Sequence, residues 1–221
     1  MRVAVAGAHG KVARRVGRLL VARGDTVVGI VRNPAQESDL LGDGMEPAVL
    51  DLEYATVEEV AAAVSGADAV VFAAGAGPGS GIPRKDTVDR GAAVLLADAA
   101  EQAGVRRYVL LSSMGVDAVS PGGGPPDEDE VFTAYLRAKR AAEDDVLARP
   151  ALAVTVLRPG RLTDHPGTGR VTLARHVDPG NVPRDDVAAV LVALLDADRD
   201  GAVLELVKGP TPIAEAVAAL S

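Results

Sequence analysis

The 221-residue sequence contains no cysteine, which excludes disulfides, thiolate nucleophiles and thiolate metal sites. Aromatic residues make up only 2% of the chain, too few for a surface on which nucleic-acid bases could stack. Basic residues are outnumbered, with 23 Lys and Arg against 31 Asp and Glu, and the formal net charge of −8 repels nucleic acid and anionic membranes. No apolar run approaches the roughly 20 residues needed to cross a bilayer. We therefore expect neither a nucleic-acid nor a membrane partner.

The sequence is instead rich in small and branched apolar residues. The hydrophobic fraction is 48%, mostly Ala, Val and Leu, which suits helices packed closely on a parallel sheet. A chain of this length fits one domain over residues 1–221. We expect its partner to be a small-molecule substrate, and the protein to be a monomer or a homodimer. The first residues lack the charged, apolar and cleavage-site order of a signal peptide, so we expect a cytoplasmic protein.

Short apolar runs alternate with longer segments of helical period, a pattern typical of βαβ units. Strands are predicted at 2–6, 26–31, 46–50, 69–73, 107–111, 153–157 and 203–207, and helices at 11–23, 56–65, 86–103, 129–148, 184–196 and 212–220. Right-handed crossovers between them predict an α/β fold, a doubly wound Rossmann-type parallel sheet with helices on both faces. A ligand should then lie at the carboxyl ends of the strands, with residues 158–221 closing the substrate side.

Two glycine-rich loops follow predicted strands. Residues 75–81 read GAGPGSG, and residues 115–130 contain a GGGPP core and a DEDE end. Two interpretations fit them: flexible connections, in which Gly and Pro are common, or a mobile lid over a site.

The first predicted strand runs directly into a glycine-rich turn. Gly7 and Gly10 would form the turn, and Ala13 would let the next helix pack closely, in the spacing G-x-x-G-x-x-A. Small residues let phosphate oxygens approach the backbone, and free N–H groups at a helix start favour negative charge. The order strand, turn, helix predicts a dinucleotide phosphate site, with a generic βα turn as the alternative. The neighbours expected to contact the cofactor are His9, Lys11 and Val12.

A basic residue ends the second predicted strand. An NAD-preferring site carries Asp or Glu there for the ribose hydroxyl, whereas this sequence has Arg32 followed by Asn33. A guanidinium suits the additional 2′-phosphate of NADP, so NADP is the expected cofactor and NAD the less favoured one. The alternative is an ordinary surface arginine. After the third predicted strand, Asp51 and Leu52 are placed to meet the adenine edge.

The predicted helix at 129–148 carries an amine on its apolar stripe. Lys139 shares a row with Leu136 and Val146, where a leucine is expected. Tyr135 lies four residues earlier on the same face, so the ammonium can favour the tyrosinate and tune the phenol for proton transfer. This pair predicts acid–base chemistry beside a hydride donor. The alternative is a tyrosine satisfied by core packing alone.

Eight motifs together resemble one family. They are GAHGKVA at 7–13, IVRNP at 30–34, LDLE at 50–53, VVFAAG at 70–75, AGVRRYVLLSSMG at 103–115, YLRAK at 135–139, LRPG at 157–160 and PRDDVAAVL at 183–191. Over nearly its whole length, the chain resembles the atypical short-chain dehydrogenase/reductases, in the NAD(P)H-binding group that includes NmrA-like and biliverdin-reductase-B-like proteins.

The resemblance implies roles for particular residues. Tyr135 corresponds to the catalytic tyrosine, and Lys139 to the lysine that also holds the nicotinamide ribose. Ser112 and Ser113 are both candidates for the serine that orients a carbonyl. Ser113 is preferred and Ser112 is assigned to the cofactor, although Met114 stands where extended members carry a further serine. The segments expected beside ribose and nicotinamide are Ala73, Ala74 and Gly75, and Pro159 and Gly160.

Three functions fit these observations. The leading one is an NADP-dependent oxidoreductase that moves hydride between nicotinamide and a small carbonyl or alcohol. A noncatalytic redox-sensing protein, as NmrA-like relatives are regarded, would share the fold and the cofactor site. A sugar-nucleotide epimerase or dehydratase is less favoured, because only about sixty residues follow the sixth predicted strand. No metal site is expected, since His165 and His176 have no identifiable partner ligands.

Overall fold

The computed structural model describes residues 1–77, 79–119, 130–197 and 200–220. Most of the predicted loop at 115–130, including its GGGPP core, and residue 129 of a predicted helix lie outside these ranges. In the described residues, no helix is long and apolar enough to span a membrane.

Nine of the described strands form one sheet. In chain order the strands are β1 (Arg2–Ala6), β2 (Thr26–Val31), β3 (Glu46–Val49), β4 (Ala69–Phe72), β5 (Arg107–Leu111), β6 (Ala153–Pro159), β7 (Arg161–Thr163), β8 (Arg170–Ala174), β9 (Asn181–Pro183), β10 (Ala202–Lys208) and β11 (Thr211–Pro212). The spatial order is β11-β8-β10-β6-β5-β4-β1-β2-β3. Neighbours from β10 to β3 are parallel, whereas β8 runs antiparallel to β10 and β11. β7 and β9 pair with each other outside this sheet.

All but the last of the described helices lie between strands along the chain, as βαβ units require. The helices are α1 (Lys11–Ala22), α2 (Glu37–Gly42), α3 (Val57–Val64), α4 (Ile82–Arg84), α5 (Ala92–Ala103), α6 (Glu130–Leu147), α7 (Arg184–Asp196) and α8 (Ile213–Ala218), with a π-helical turn at Lys85–Gly91 joining α4 to α5. A capping box starts α3: the Thr56 hydroxyl accepts from Glu59 N at 3.3 Å, and the Glu59 carboxylate accepts from Thr56 N at 2.8 Å.

The sheet is covered on both faces. Along β1, Val3 and Val5 belong to a core with α1 and α7, whereas Ala4 and Ala6 belong to a second core with α3, α5 and part of α6. This two-residue alternation is the geometry of a strand buried on both sides. The predicted doubly wound sheet with helices on both faces is confirmed.

Most predicted elements are present, and the differences have local causes. The sixth strand continues to Pro159 rather than ending at 157, because it stays paired with β10 as far as Leu206. The prediction of one regular helix over 86–103 was wrong, since that segment begins as a π-helical turn and becomes α-helical only at Ala92. The short elements α2, α4, β7, β8, β9 and β11, which contain between two and six residues each, were not predicted.

A buried ion pair fixes α6 to the end of β6. Arg158 donates to both carboxylate oxygens of Glu143, at 3.1 Å from Nε to each, and Glu143 is only 1% exposed. Arg158 Nη1 also donates to Asp117 at 2.6 Å. Breaking a buried pair by removing one charge is costly, because the other charge stays in a medium that solvates it poorly. The pair therefore fixes the position of the helix that carries Tyr135 and Lys139.

Glu143→Gln is expected to lower the free energy of unfolding by about 3 kcal/mol, because Arg158 keeps its charge without a full partner. Urea unfolding followed by circular dichroism measures this. Asp144→Asn is the matched control on the same helix: Asp144 pairs with the half-exposed Arg140 at 2.8 Å, and its loss should change stability by no more than about 0.5 kcal/mol. Equal unfolding midpoints for the two variants would contradict the structural role of the buried pair.

The chain reverses direction across the sheet at β1. β2 and β3 lie on one side of it and β4 and β5 on the other, so the loops after β1 and β4 diverge and leave a crevice at the carboxyl ends of the strands. Open α/β sheets bind ligands at such a point.

Candidate functional site

The turn after β1 is held tightly against its neighbours. Gly7 N and Ala8 N both donate to Ile30 O at 3.1 Å, and Gly10 N donates to Gly7 O at 2.8 Å. Gly7 has φ +74°, and a Cβ there would lie 2.5 Å from Ala74 Cα, so only glycine fits. Gly10 caps α1 without any side-chain hydrogen bond. The first N–H groups of α1 are therefore available to an anion.

Two clefts meet at this turn. The first, called here the Arg32 cleft, has a volume of about 280 Å³ and is lined by the ends of β2 and β3. The second, the Tyr135 cleft, has a volume of about 370 Å³ and reaches α6. The residues common to both clefts are Gly10, Ala73, Ala74 and Gly75. One elongated molecule can therefore lie in both clefts across the turn.

The Arg32 cleft contains two guanidinium groups around one carboxylate. Arg84 donates two hydrogen bonds to Glu53, and Thr87 Oγ1 donates a third at 2.7 Å. Arg32 Nη1 lies farther from Glu53, at 3.7 Å, and its side chain is 56% exposed. The hydrogen bond from Arg84 holds the pKa of Glu53 below its usual range. Because Arg84 already neutralises Glu53, the more loosely held Arg32 is available to another anion.

Most residues predicted for the adenosine half of the cofactor line this cleft. His9, Asp51 and Leu52 are among its lining residues. His9 Nε2 lies 2.7 Å from Asp39 Oδ2, and Asp51 Oδ1 accepts from Glu53 N at 3.1 Å. Asn33 is not among the lining residues of the clefts. Its side chain instead accepts a hydrogen bond from Ala35 N at 3.0 Å and caps the short helix at Pro34–Gln36.

The Tyr135 cleft contains a buried amine and a buried carboxylate. Lys139 is 3% exposed, and its Nζ donates to Leu111 O at 3.1 Å and lies 3.6 Å from Asp89 Oδ1. Asp89 is 1% exposed; its Oδ2 accepts from Ala76 N, whereas its Oδ1 accepts no hydrogen bond from any described residue. Burial lowers the pKa of Lys139, and the nearby charge of Asp89 opposes that shift.

The pKa of Tyr135 is raised rather than lowered, so it does not show the expected tuning by Lys139. Burial raises the pKa of Tyr135 to about 12, and the negative charge of Asp89 adds to the effect, whereas a hydrogen bond with Ser113 opposes it. The Lys139 ammonium lies over the ring, 5.9 Å from its centre, and 3.6 Å from Asp89 Oδ1. The phenol is therefore held in its protonated form.

The two candidate serines occupy different positions. Ser112 lines the Tyr135 cleft, is buried, and its Oγ has no hydrogen-bond partner among the described residues. Ser113 lines a third cleft beyond Tyr135, and its hydroxyl donates to Met114 O at 3.0 Å. The third cleft, called here the Phe132 cleft, has a volume of about 520 Å³ and is also lined by Pro159 and Gly160.

The remaining predicted residues, Lys11 and Val12, lie where the start of α1 approaches the start of α7. Lys11 and Val12 line the Tyr135 cleft together with Arg184. Lys11 and Arg184 both donate to Asp164, at 2.8 and 2.7 Å.

Sequence reasoning missed Lys85, Asp89 and Arg84. Arg84 and Lys85 precede the helix predicted at 86–103, whereas Asp89 lies in the part of it that forms the π-helical turn. Lys85 Nζ donates to Gly77 O at 3.0 Å and lies 5.7 Å from the centre of the Tyr135 ring. A charged pair four residues apart, Lys85 and Asp89, was the available signal, but such a pair usually marks a solvated helix face.

Residues 7–198 match the sequence profile of the NAD(P)H-binding protein family. The chain belongs to this family. An uncharacterised protein named sugar epimerase YhfK, from Bacillus subtilis, is 34% identical over 219 residues, covering 98% of this chain and 99% of that protein. A Bacillus halodurans structure, provisionally named an NAD-dependent epimerase/dehydratase, has a TM-score of 0.88 at 36% identity and covers 99% of each chain. ChuY of Escherichia coli O157:H7, described as an anaerobillin reductase, has a TM-score of 0.78 at 26% identity, covering 96% of this chain and all of that one.

Family membership shows that the expected nicotinamide dinucleotide is the right class of cofactor for this chain. The residues present also fit such a molecule. The turn leaves no room for a side chain at Gly7 and leaves the start of α1 uncapped. Buried oxygens of Asp89 and Ser112 remain without hydrogen-bond partners among the described residues, at the walls of the Tyr135 cleft. Buried polar atoms of this kind need a partner, which a ribose or an amide can provide.

Proposed function

We propose that the protein is an NADPH-dependent reductase of small carbonyl or quinone compounds, in the atypical short-chain dehydrogenase/reductase group. The observation that carries the proposal is a protonated phenol beside a buried amine, at the end of two joined clefts that together fit a dinucleotide. The adenosine half would lie in the Arg32 cleft, the phosphates at the start of α1, and the nicotinamide half in the Tyr135 cleft.

The bound dinucleotide would supply hydride to the substrate. Tyr135 would donate its proton to the substrate oxygen, since its raised pKa keeps the proton in place at neutral pH. Ser113, which forms a hydrogen bond with the phenol, would turn its hydroxyl from Met114 O to the carbonyl oxygen and hold that oxygen near the proton. Lys139 would keep Asp89 neutralised and would donate to a ribose hydroxyl in place of its long hydrogen bond to Ala74 O, which measures 3.5 Å.

The proposal is reduction, in which Tyr135 acts as the proton donor. The part of the chain from about residue 158 would supply the far wall of the substrate site.

A screen of aldehydes, ketones and quinones, followed by loss of NADPH absorbance, tests this function. The proposal expects stoichiometric conversion of NADPH and carbonyl to oxidised cofactor and alcohol or hydroquinone. Tight NADPH binding without turnover of any compound would instead favour the redox-sensing function. Interconversion of sugar nucleotides without net cofactor oxidation would favour an epimerase, the class to which the YhfK name refers.

Cofactor preference gives a separate prediction. Arg32→Ala is expected to weaken NADPH binding by about tenfold or more and to leave NADH binding unchanged, because the lost hydrogen bonds are to the 2′-phosphate alone. Titration calorimetry with both cofactors measures the ratio. Arg175→Ala, an exposed arginine that does not line the three clefts, is the matched control. Equal wild-type affinities for the two cofactors would remove Arg32 from the phosphate site.

A further inference from the structure

The Phe132 cleft adjoins the Tyr135 cleft at the phenol. The two clefts share Ser112, Tyr135, Pro159 and Leu162. Under the proposed function, on which this inference rests, a substrate lies in the Phe132 cleft with its reacting carbonyl against Tyr135. The walls of this cleft therefore determine which carbonyl compounds fit.

One wall is an aromatic platform. Phe132 stacks on Tyr135 with ring centres 5.9 Å apart and an angle of 28° between planes, yet it remains 44% exposed. Much of the surrounding wall is also apolar, including Met114, Pro159 and Pro179. A half-exposed aromatic ring in an apolar wall is suited to a flat unsaturated ring, which would gain offset stacking as well as burial.

All but one of the Lys and Arg side chains that line the three clefts have an ion-pair or hydrogen-bond partner among the described residues. The Lys11 and Arg184 side chains pair with Asp164, those of Arg32 and Arg84 with Glu53, and that of Lys139 with Asp89, while Lys85 donates to Gly77 O. The Arg161 side chain has no hydrogen bond or ion pair with any described residue, although its backbone N donates to Gly180 O at 2.9 Å. Arg161 is exposed, and it is the one charged residue among the described residues that line the Phe132 cleft.

We propose that the substrate is a flat, unsaturated carbonyl compound that carries a carboxylate, bound by Arg161 while its ring stacks on Phe132. A guanidinium matches a carboxylate through two parallel hydrogen bonds, which fix orientation as well as charge. The carbonyl carbon would gain the hydride that bound NADPH supplies, and the carbonyl oxygen would gain the Tyr135 proton, which Tyr135 then regains from water. The carboxylate would stay unchanged as an anchor.

Binding of two matched ring compounds tests the anchor without any turnover. The protein is titrated by calorimetry, with and without saturating NADP⁺, with 2-naphthoate and with its neutral analogue 2-naphthamide. We expect 2-naphthoate to bind more tightly than 2-naphthamide. Arg161→Gln should weaken 2-naphthoate binding by about tenfold, the scale of one charge-assisted pair, and leave 2-naphthamide unchanged. Phe132→Ala should weaken both ligands by a similar factor of about three to ten.

Arg175→Gln is the control, since it removes an exposed arginine outside the Phe132 cleft and should leave both ligands unaffected. The inference would be overturned if the two ring compounds bound with equal affinity or did not bind. It would also be overturned if Arg161→Gln and Arg175→Gln had equal effects. The proposed function is tested separately: it would fail if the protein did not bind NADP⁺ or did not turn over NADPH. Naphthoate binding that depends on Arg161 would still place a carboxylate there.

Discussion

Tyr135→Phe is expected to reduce turnover of NADPH and substrate by about a hundredfold or more, the usual scale for losing one positioned proton donor. The substitution removes only the hydroxyl, so the ring keeps its stacking with Phe132 and its place in the cleft. The affinity for NADPH should barely change, because the phenol contacts the substrate rather than the dinucleotide. Steady-state kinetics of wild type and variant, with calorimetry for the cofactor, separate these two effects.

Tyr54→Phe is the matched control for this measurement. Tyr54 is 85% exposed and does not line the three clefts, so loss of its hydroxyl should leave turnover unchanged. A decrease of less than about threefold for Tyr135→Phe would exclude the proton-donor role. Tyr135 would then be a packing residue against Val116 and Leu136.

The pH dependence of turnover also reports on the proton of Tyr135. A group with a pKa of about 12 keeps its proton throughout the range from about pH 6 to pH 9. Wild-type turnover should therefore show no alkaline decrease from Tyr135 within that range. A decrease centred near neutral pH that disappears in Tyr135→Phe would mean that bound cofactor lowers the pKa of the phenol strongly.

The order of strands and helices was predictable because each long element has a clear period. The apolar alternation in β1 and the stripe of α1 specify βαβ units, and right-handed crossovers then leave few topologies. The short elements were not predictable. β7 and β9 contain three residues each and are stabilised by pairing with one another, which leaves almost no local signal.

Within the candidate site, the residues tied to backbone geometry were the easiest to predict. Gly7 must be glycine because its backbone has a positive φ and a Cβ would collide with Ala74. A glycine-rich turn in the sequence is a direct sign of such a position. Asp89 was not predicted, because a π-helical turn changes which side chains face the cleft, and sequence period cannot show this. The direction of the Tyr135 pKa shift also depends on burial and on Asp89, both of which require the folded structure.

Gly10→Val tests whether the dinucleotide binds across the glycine turn. A Cβ at Gly10 would lie 3.1 Å from Gly7 O and 3.8 Å from Ala73 O, so small shifts accommodate it in the fold. Gly7 would be a poor choice, because any side chain there meets the backbone of Ala74. The branched side chain of valine would instead occupy the space where the phosphates approach the start of α1. Gly42→Val, whose Cβ would have nothing within 4 Å, is the matched control.

The measurement is a calorimetric titration of NADPH into wild type, Gly10→Val and Gly42→Val, each shown by circular dichroism to be folded. Wild type and Gly42→Val are expected to bind NADPH with the same affinity, whereas folded Gly10→Val should bind it at least about a hundredfold more weakly, a loss of roughly 2.7 kcal/mol. Undiminished binding of NADPH by folded Gly10→Val would contradict this prediction and would place the dinucleotide elsewhere on the protein.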